Sequence, residues 1–317
     1  MKIAENFQRG KKKRAVRALV LFSGGLDSIL AVKILERQGI DVTALTFVSY
    51  FFGAEQAKKS AKENEISLII KDVSKGHFGI VKNPYFGYGT GMNPCVDCHL
   101  FMLEEGKKIA RKEKFDFIAT GEVLGQRPMS QNRGALALIE KKAGLEGKIL
   151  RPLSAKVLPE TEIEKAGMID REKLLGISGR SRKGQMELAK KYGIKNYPTP
   201  AGGCILTDQE YSRKLRELLE KIKIIKPSDF ELLRIGRHFW VGNTKIILGR
   251  NHEENLQIKK IAEKDDAIVE PKSFSGPTAI LRGRIIRKNI EFAEKKILQY
   301  SKKIEKKNVK FNIESIK

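Results

Sequence analysis

Arg17-Ala18-Leu19-Val20-Leu21-Phe22-Ser23-Gly24-Gly25-Leu26-Asp27-Ser28 passes from a short apolar run through a glycine pair into a helical pattern. Arg17 to Ser23 has the length of a buried strand, and Leu26, Ile29, Leu30, Val32, Ile34 and Leu35 recur at helical spacing until about Gly39. Strand, glycine turn and helix open an α/β domain. Val42 to Val48 reads as the next strand, Glu55 to Asn64 as a helix and Ile66 to Val73 as a third strand, so the strands are expected to pair in parallel through crossovers. A loop that binds polyphosphate must bring backbone N–H groups close to oxygens, which favours glycine, and it gains from the positive end of a following helix. Ser23 to Ser28 meets both needs without being a Walker loop, because the Gly-Lys-Ser/Thr element is missing. The plainer reading is a tight turn in which Asp27 and Ser28 start a helix.

Gly76 to Cys98 reads as a loop, Leu100 to Glu113 as a helix, and Phe115 to Thr120 as a fourth strand ending at Gly121. Gly121 to Arg151 is irregular, and Glu160 to Tyr192 is helical in pieces broken by Gly167, Gly176 and Gly179. A Pro/Gly-rich loop from Tyr197 carries Cys204 and precedes a helix from about Asp208 to Ile222. Pro227 marks the expected boundary, giving a basic tail over 1–15, a nucleotide-binding domain over 16–225 and a second domain over 226–317. In the last, Phe230 to Ile235 and Phe239 to Leu248 alternate like strands, Glu253 to Lys264 is helical and Asn289 to Lys303 is a basic helix, together a small α+β domain.

Among 317 residues, 62 Lys and Arg stand against 38 Asp and Glu, a formal charge of +24. Such an excess points to a polyanion, nucleic acid first; a lysine-rich thermophilic proteome is the alternative, though it raises Glu alongside Lys. No apolar run has the length of a membrane span and no secretory h-region follows Met1, so a cytoplasmic protein with no membrane partner is expected. The odd count of three cysteines argues against a disulfide framework. Cys95 and Cys98 form a C-x-x-C at a loop-to-helix junction, where a helix N-terminus lowers a thiol pKa, and Cys204 sits alone in its flexible loop. Three readings stay open: a three-cysteine 4Fe-4S cluster with one iron free for an extra sulfide, a Cys98–Cys204 persulfide and disulfide pair, or a zinc site or plain buried thiols. His77, His99, His238 and His252 show no catalytic spacing.

Ser-Gly-Gly-Leu-Asp-Ser resembles the loop of the N-type ATP pyrophosphatases (PP-loop enzymes), which split ATP to AMP and pyrophosphate and adenylate a carbonyl oxygen. Thr120-Gly121-Glu122-Val123-Leu124-Gly125-Gln126, then Ser130-Gln131, then Leu150-Arg151-Pro152-Leu153, is similar to the adenylating domain of tRNA 4-thiouridine synthases. Asn93-Pro94 ahead of Cys98, with Cys204 about a hundred residues on, is similar to the tRNA 2-thiouridylases. The resemblance implies an adenine nucleotide alpha hydrolase-like parallel sheet and a transferase that adenylates a tRNA uridine and replaces its oxygen with sulfur, forming 4-thiouridine or, alternatively, 2-thiouridine. It implies that Gly24 and Gly25 approach the phosphates, that Ser23 and Ser28 donate hydroxyls, that Asp27 acts catalytically and helps hold Mg²⁺, and that Phe22, Thr46, Phe47, Gly121 and Gln126 complete the ATP site. Arg127, Arg151 and Lys156 are the candidates for a phosphate-facing cation.

Cys95 beside Cys98 resembles the three-cysteine subgroups of these thiolases, which implies Cys95, Cys98 and Cys204 as cluster ligands and Cys98 and Cys204 as the sulfur-handling pair. The sulfur donor is then sulfide or a cysteine desulfurase-derived source, and a homodimer is the assembly expected. The segment before Arg17 is too short for the RNA-binding modules usual in 4-thiouridine synthases, and no rhodanese-like domain is apparent. Phe239 to Asn255 with Ser275-Gly276-Pro277 resembles instead the RNA-binding domain of NFACT proteins, with Arg282, Arg284, Arg287, Lys288, Lys295 and Lys296 as a basic face and Phe239 and Trp240 as stacking candidates. The same glycine loop also serves ligases that adenylate small molecules, a reading that leaves the charge without a partner.

Overall fold

The computed structural model describes residues 14–198, 203–301 and 309–316. Most of the basic tail, the centre of the loop before Cys204 and the expected end of the last helix lie outside them. The chain divides into two compact units, one holding residues up to 89 with 94–202 and the other 90–93 with 203–317.

The first unit contains β1 (Arg17–Leu21), α1 (Leu26–Glu36), β2 (Asp41–Val48), α2 (Glu55–Glu63), β3 (Ser67–Asp72), α3 (Ser74–Lys82), α4 (Cys95–Lys112), β4 (Phe117–Thr120), α5 (Arg133–Ala143), β5 (Ile149–Leu150), α6 (Glu162–Lys165) and α7 (Lys183–Lys191). Its sheet runs β3-β2-β1-β4-β5, every pair parallel. Alternate residues of β1 serve opposite faces: Ala18 and Val20 pack with α1, whereas Leu19 packs with Leu103 of α4 and Ile139 of α5. Helices therefore cover both faces, which is why β1 reads as continuously apolar. The order reverses at β1, whose neighbours are β2 on one side and β4 on the other. In such sheets the crevice at the carboxyl ends of the two diverging strands is the ligand site.

Two helices fall inside segments that read as loop. α3 contains Gly76 and Gly79, which weaken any helical signal, and it is held by buried His77 and Val81 one turn apart. α5 has both end signals: the Asn132 side chain accepts the Ala135 N–H at 2.9 Å, and Gly144 closes the helix in the left-handed conformation. α4 begins at Cys95 rather than near Leu100, so both of its cysteines lie in the first helical turn.

The second unit contains α8 (Gln209–Lys221), α9 (Pro227–Leu233), β6 (Arg237–Val241), β7 (Thr244–Leu248), α10 (His252–Ile261), β8 (Ala267–Pro271), β9 (Ala279–Arg282), α11 (Arg287–Tyr300) and β10 (Phe311–Ser315). Its antiparallel sheet runs β10-β8-β9-β7-β6. Ile246 and Leu248 turn toward Ala293 and Ile297 of α11, and Ile247 with Ile280 turns toward Leu232 and Ile258 on the other face. Phe230 to Ile235 is therefore not a strand. Pro227 sits at the first helical position, and the Asp229 carboxylate accepts the Lys226 N–H at 2.9 Å, so the segment starts a helix despite its alternating pattern. The second unit also begins before residue 226: Met92 donates its N–H to the Leu206 carbonyl at 2.8 Å, and α8 packs with this unit.

Candidate functional site

The turn after β1 and the turn after β4 meet at the switch point. A methyl group added at Gly121 would lie 2.6 Å from the Ser28 nitrogen, so the end of β4 rests directly on the first turn of α1. Gly24 has a φ of +76° and is pressed on its other side, with Ala57 Cα 2.7 Å from where a Cβ would stand. Ser60 of α2 donates its hydroxyl to the Gly24 carbonyl at 2.7 Å and fixes that peptide. α1 has no side-chain cap, and its first internal hydrogen bond runs from Ile29 to Gly25. The N–H groups of its first turn are thus left for an anion, at the positive end of an 11-residue helix.

Asp27 stands in that turn. Its Oδ2 accepts the Gln126 Nε2–H at 2.9 Å, while Oδ1 is buried without a partner. An orphaned carboxylate oxygen beside an anion seat suits a divalent cation bridging to phosphate, so the residues present fit ATP with Mg²⁺. Gln126, expected in the nucleotide site, orients Asp27. Ser23 is exposed at the mouth, whereas Ser28 is buried and donates to the Gly25 carbonyl at 2.8 Å. Thr46 is buried and donates to the Phe22 carbonyl at 2.6 Å, and Phe47 packs in the core, so their side chains brace β1 and β2.

Gly121→Ala is expected to shift either β4 or α1, at a cost of about 1–3 kcal/mol. Thermal melting would register the loss, and ATP affinity measured on the same protein would fall with it.

Glu122, beside Gly121, carries the loop toward the cysteines. Its carboxylate accepts from the His99 ring at 2.9 Å, from Thr120 Oγ1 at 3.0 Å and from Arg151 Nε at 2.9 Å, and Arg151 also bonds Glu140 through Nη1. Burial pushes the Glu122 carboxyl up, but the Arg151 charge and the His99 bond outweigh it and hold it at about 2. Burial likewise disfavours the charged His99 ring, yet its bonds to Cys95 and Glu122 raise its pKa to about 9. Burial would raise the Cys95 thiol, but the hydrogen bond and charge of His99, with the Arg127 charge behind them, hold it below its ordinary value. The thiolate of Cys95 is therefore favoured more than that of an ordinary cysteine. Cys98, one turn on, is buried with Sγ 2.9 Å from His77 Nε2, and burial lowers the His77 pKa to about 4.

His77 and His99 were missed by spacing in the chain, although His99 lies four residues after Cys95 and so shares its helix face. The phosphate-facing candidates separate. Arg151 is only 4% exposed and neutralises two glutamates, and Lys156 pairs with Glu172 at 3.0 Å, which leaves Arg127 exposed near Cys95. None of the three cysteines forms a disulfide; Cys95 and Cys98 lie in the first unit and Cys204, half-buried, in the second. Among the described residues no three His, Cys, Asp or Glu side chains form a metal-holding group. A thiolate at Cys95 and the C-x-x-C on one turn suit two ligands of a cluster. In the second unit Arg282, expected on an RNA-facing surface, is instead bound to Asp229 at 3.0 Å and Asp266 at 2.7 Å. Trp240 is half-buried and donates to Glu217 at 3.2 Å. No helix among the described residues is long and apolar enough to cross a membrane.

Fold and loop together define the first unit as a PP-loop domain. In sequence, residues 14–169 match the family described as thiamine biosynthesis protein (ThiI), and residues 236–317 match the NFACT protein RNA binding domain. A probable tRNA sulfurtransferase of Finegoldia magna is 33% identical over 148 residues, 44% of this chain and 36% of that protein. The chain thus spans about a third of that relative's length. The tRNA-specific 2-thiouridylase MnmA of Rickettsia rickettsii is 27% identical over 285 residues, 80% of this chain and 73% of that protein. A solved 4-thiouridine synthetase–RNA complex with bound ATP aligns at a TM-score of 0.40 with 20% identity, covering 69% of this chain and 52% of that one.

Proposed function

We propose that the protein is an ATP-dependent tRNA sulfurtransferase acting in the cytoplasm and forming 4-thiouridine. The observation that carries the reading is the uncapped first turn of α1 with the buried, unpartnered Asp27 Oδ1, set within one loop of the Glu122–His99–Cys95 chain. ATP lies with its phosphates on the N–H groups of that turn. Asp27 holds Mg²⁺, which when bound neutralises phosphate charge. The O4 of the target uridine attacks the α-phosphorus, and pyrophosphate leaves. A sulfide sulfur then adds to C4 and AMP departs with the original oxygen. In this reading Cys95, Cys98 and Cys204 would be the ligands of a 4Fe-4S cluster, which would supply a binding place for the extra sulfide. His99 favours the thiolate of Cys95, and Glu122 with Arg151 keeps the His99 ring in place. The second unit holds tRNA, and a sulfide or cysteine desulfurase-derived source supplies the sulfur to an enzyme that assembles as a homodimer.

The 2-thiouridine product is the second reading, favoured by the length of chain that aligns with the Rickettsia rickettsii protein. Mass spectrometry of nucleosides from tRNA incubated with the protein, ATP and sulfide separates the two. Exchange of pyrophosphate into ATP without tRNA would overturn both and point to a small-molecule substrate. Cys95→Ala is expected to abolish a brown chromophore together with thiolation. Full activity in a colourless Cys95→Ala protein would leave Cys98 and Cys204 as a persulfide pair.

A further inference from the structure

Beside Cys204 the second unit has a cavity of roughly 340 Å³ between α8, α9 and the turn after β7. Ile205, the residue after Cys204, forms part of its wall, and three cations reach it: Lys214 from α8, Arg234 from the end of α9 and Arg250 from the turn. Two carboxylates also face it, each with a task already. Asp208 caps α8 by accepting the Tyr211 N–H at 2.7 Å. Glu210 pairs with Lys214 at 2.9 Å, but the Glu210 side chain is 62% exposed and the Lys214 side chain only 6%. The exposed partner can swing into water, and the buried cation then needs another anion. Arg250 is steadied by Glu254, whose Oε1 accepts from its Nε at 2.8 Å.

Tyr211 supplies an independent sign. Its ring is 4% exposed and its hydroxyl has no hydrogen-bond partner, a state that ordinarily costs about 1–3 kcal/mol. Burial pushes the phenol up to about 12, so it stays a donor. A buried hydroxyl donor and a buried ammonium from α8, with a guanidinium from the end of α9 lining the same cavity, are complementary to the oxygens of a phosphate.

We propose that this cavity seats a backbone phosphate of the RNA substrate beside Cys204, held by Lys214, Arg234 and the Tyr211 hydroxyl. The inference rests on the reading of the protein as an RNA-thiolating enzyme and adds a place where the strand is anchored. It also accounts for why α8 and the segment from Cys204 pack with the second unit: the RNA-holding body carries the cysteine itself. A free phosphate offers the same oxygens, but the +24 charge favours a polyanion.

The test uses the full chain with Lys214→Met and Arg234→Gln, both checked by melting curves, in tRNA binding over a salt series. Each substitution is expected to weaken binding severalfold and to reduce the salt slope by about one. In parallel, in chain isolated without a cluster, tRNA is expected to protect Cys204 from iodoacetamide, and this protection is expected to be lost in both variants. Should Lys214→Met fail to fold, Tyr211→Phe removes a single hydroxyl and is expected to give a smaller loss of affinity and partial loss of protection. Unchanged slopes and unchanged protection would overturn the seat while leaving the functional reading intact. Protection by inorganic phosphate alone, with none from tRNA, would reassign the cavity to a free anion and overturn the proposal. Failure of the unsubstituted chain to bind tRNA would overturn the functional reading and this seat with it.

Discussion

Asp27→Asn is expected to lower tRNA-dependent pyrophosphate release by at least about a hundredfold, because a cation on the phosphates is worth several kcal/mol and each 1.4 kcal/mol is a factor of ten. The substitution keeps shape and volume, and the fold should survive it. What changes is charge at one atom: Oδ1 is buried with no partner, so in the unliganded protein no neighbour depends on it. Gln126→Leu makes the companion measurement. It removes the donor that holds Oδ2 at 2.9 Å but leaves the carboxylate, so it should cost far less, with the deficit in turnover rather than in ATP affinity. Asp27→Asn with full activity would remove the adenylation mechanism. Equal losses in the two variants would instead show that the orientation of Asp27 matters as much as its charge.

The fold around the candidate site was legible because one short stretch carried it. A buried strand, two glycines and a helix start predict a phosphate seat at the carboxyl end of a parallel strand, and β1 and α1 form as their pattern requires. Segments whose local signals conflict were less legible. Gly76 and Gly79 hid α3, and the spacing of Phe230, Leu232 and Ile235 imitated a strand although Pro227 and Asp229 start a helix. β10 pairs with β8 some 40 residues earlier, with Phe311 opposite Pro271, and nothing within either segment encodes that partner. Roles were harder to read than positions. Gly121 and Gln126 belong to a recognisable motif, yet only their contacts show that one permits close packing and the other aims a carboxylate. Arg151, a natural guess for phosphate binding, spends its charge on two buried glutamates.

Replacing that arginine should be the most damaging single change to stability. Arg151→Met leaves Glu122 and Glu140 without their shared cation, and breaking a buried ion pair by removing one partner costs about 3–5 kcal/mol. In a unit of the first unit's size that corresponds to a fall in its melting temperature of roughly 6 to 20 °C. The loss has a pH signature that simple loss of packing lacks. In the intact protein the Glu122 carboxyl is held at about 2, below its unfolded value, so the charged form adds stability above roughly pH 4.5 that is lost as pH falls toward 2. Without Arg151 the strongest influence opposing burial is gone and that carboxyl moves up from its depressed position, so the charged form contributes less to the fold and acid removes less stability from the variant than from the intact protein. The gap between the two proteins should therefore narrow as pH is lowered from about 4.5 toward 2. A gap that stays constant would assign the damage to packing. Adding Glu122→Gln and Glu140→Gln to Arg151→Met removes the uncompensated charges and should restore much of the lost stability at pH 7. Thiolation should nonetheless stay lost in the triple variant, because the neutral amide at 122 no longer holds His99 charged beside Cys95. Recovery of both stability and thiolation would show that the chain from Arg151 to Cys95 serves the fold alone.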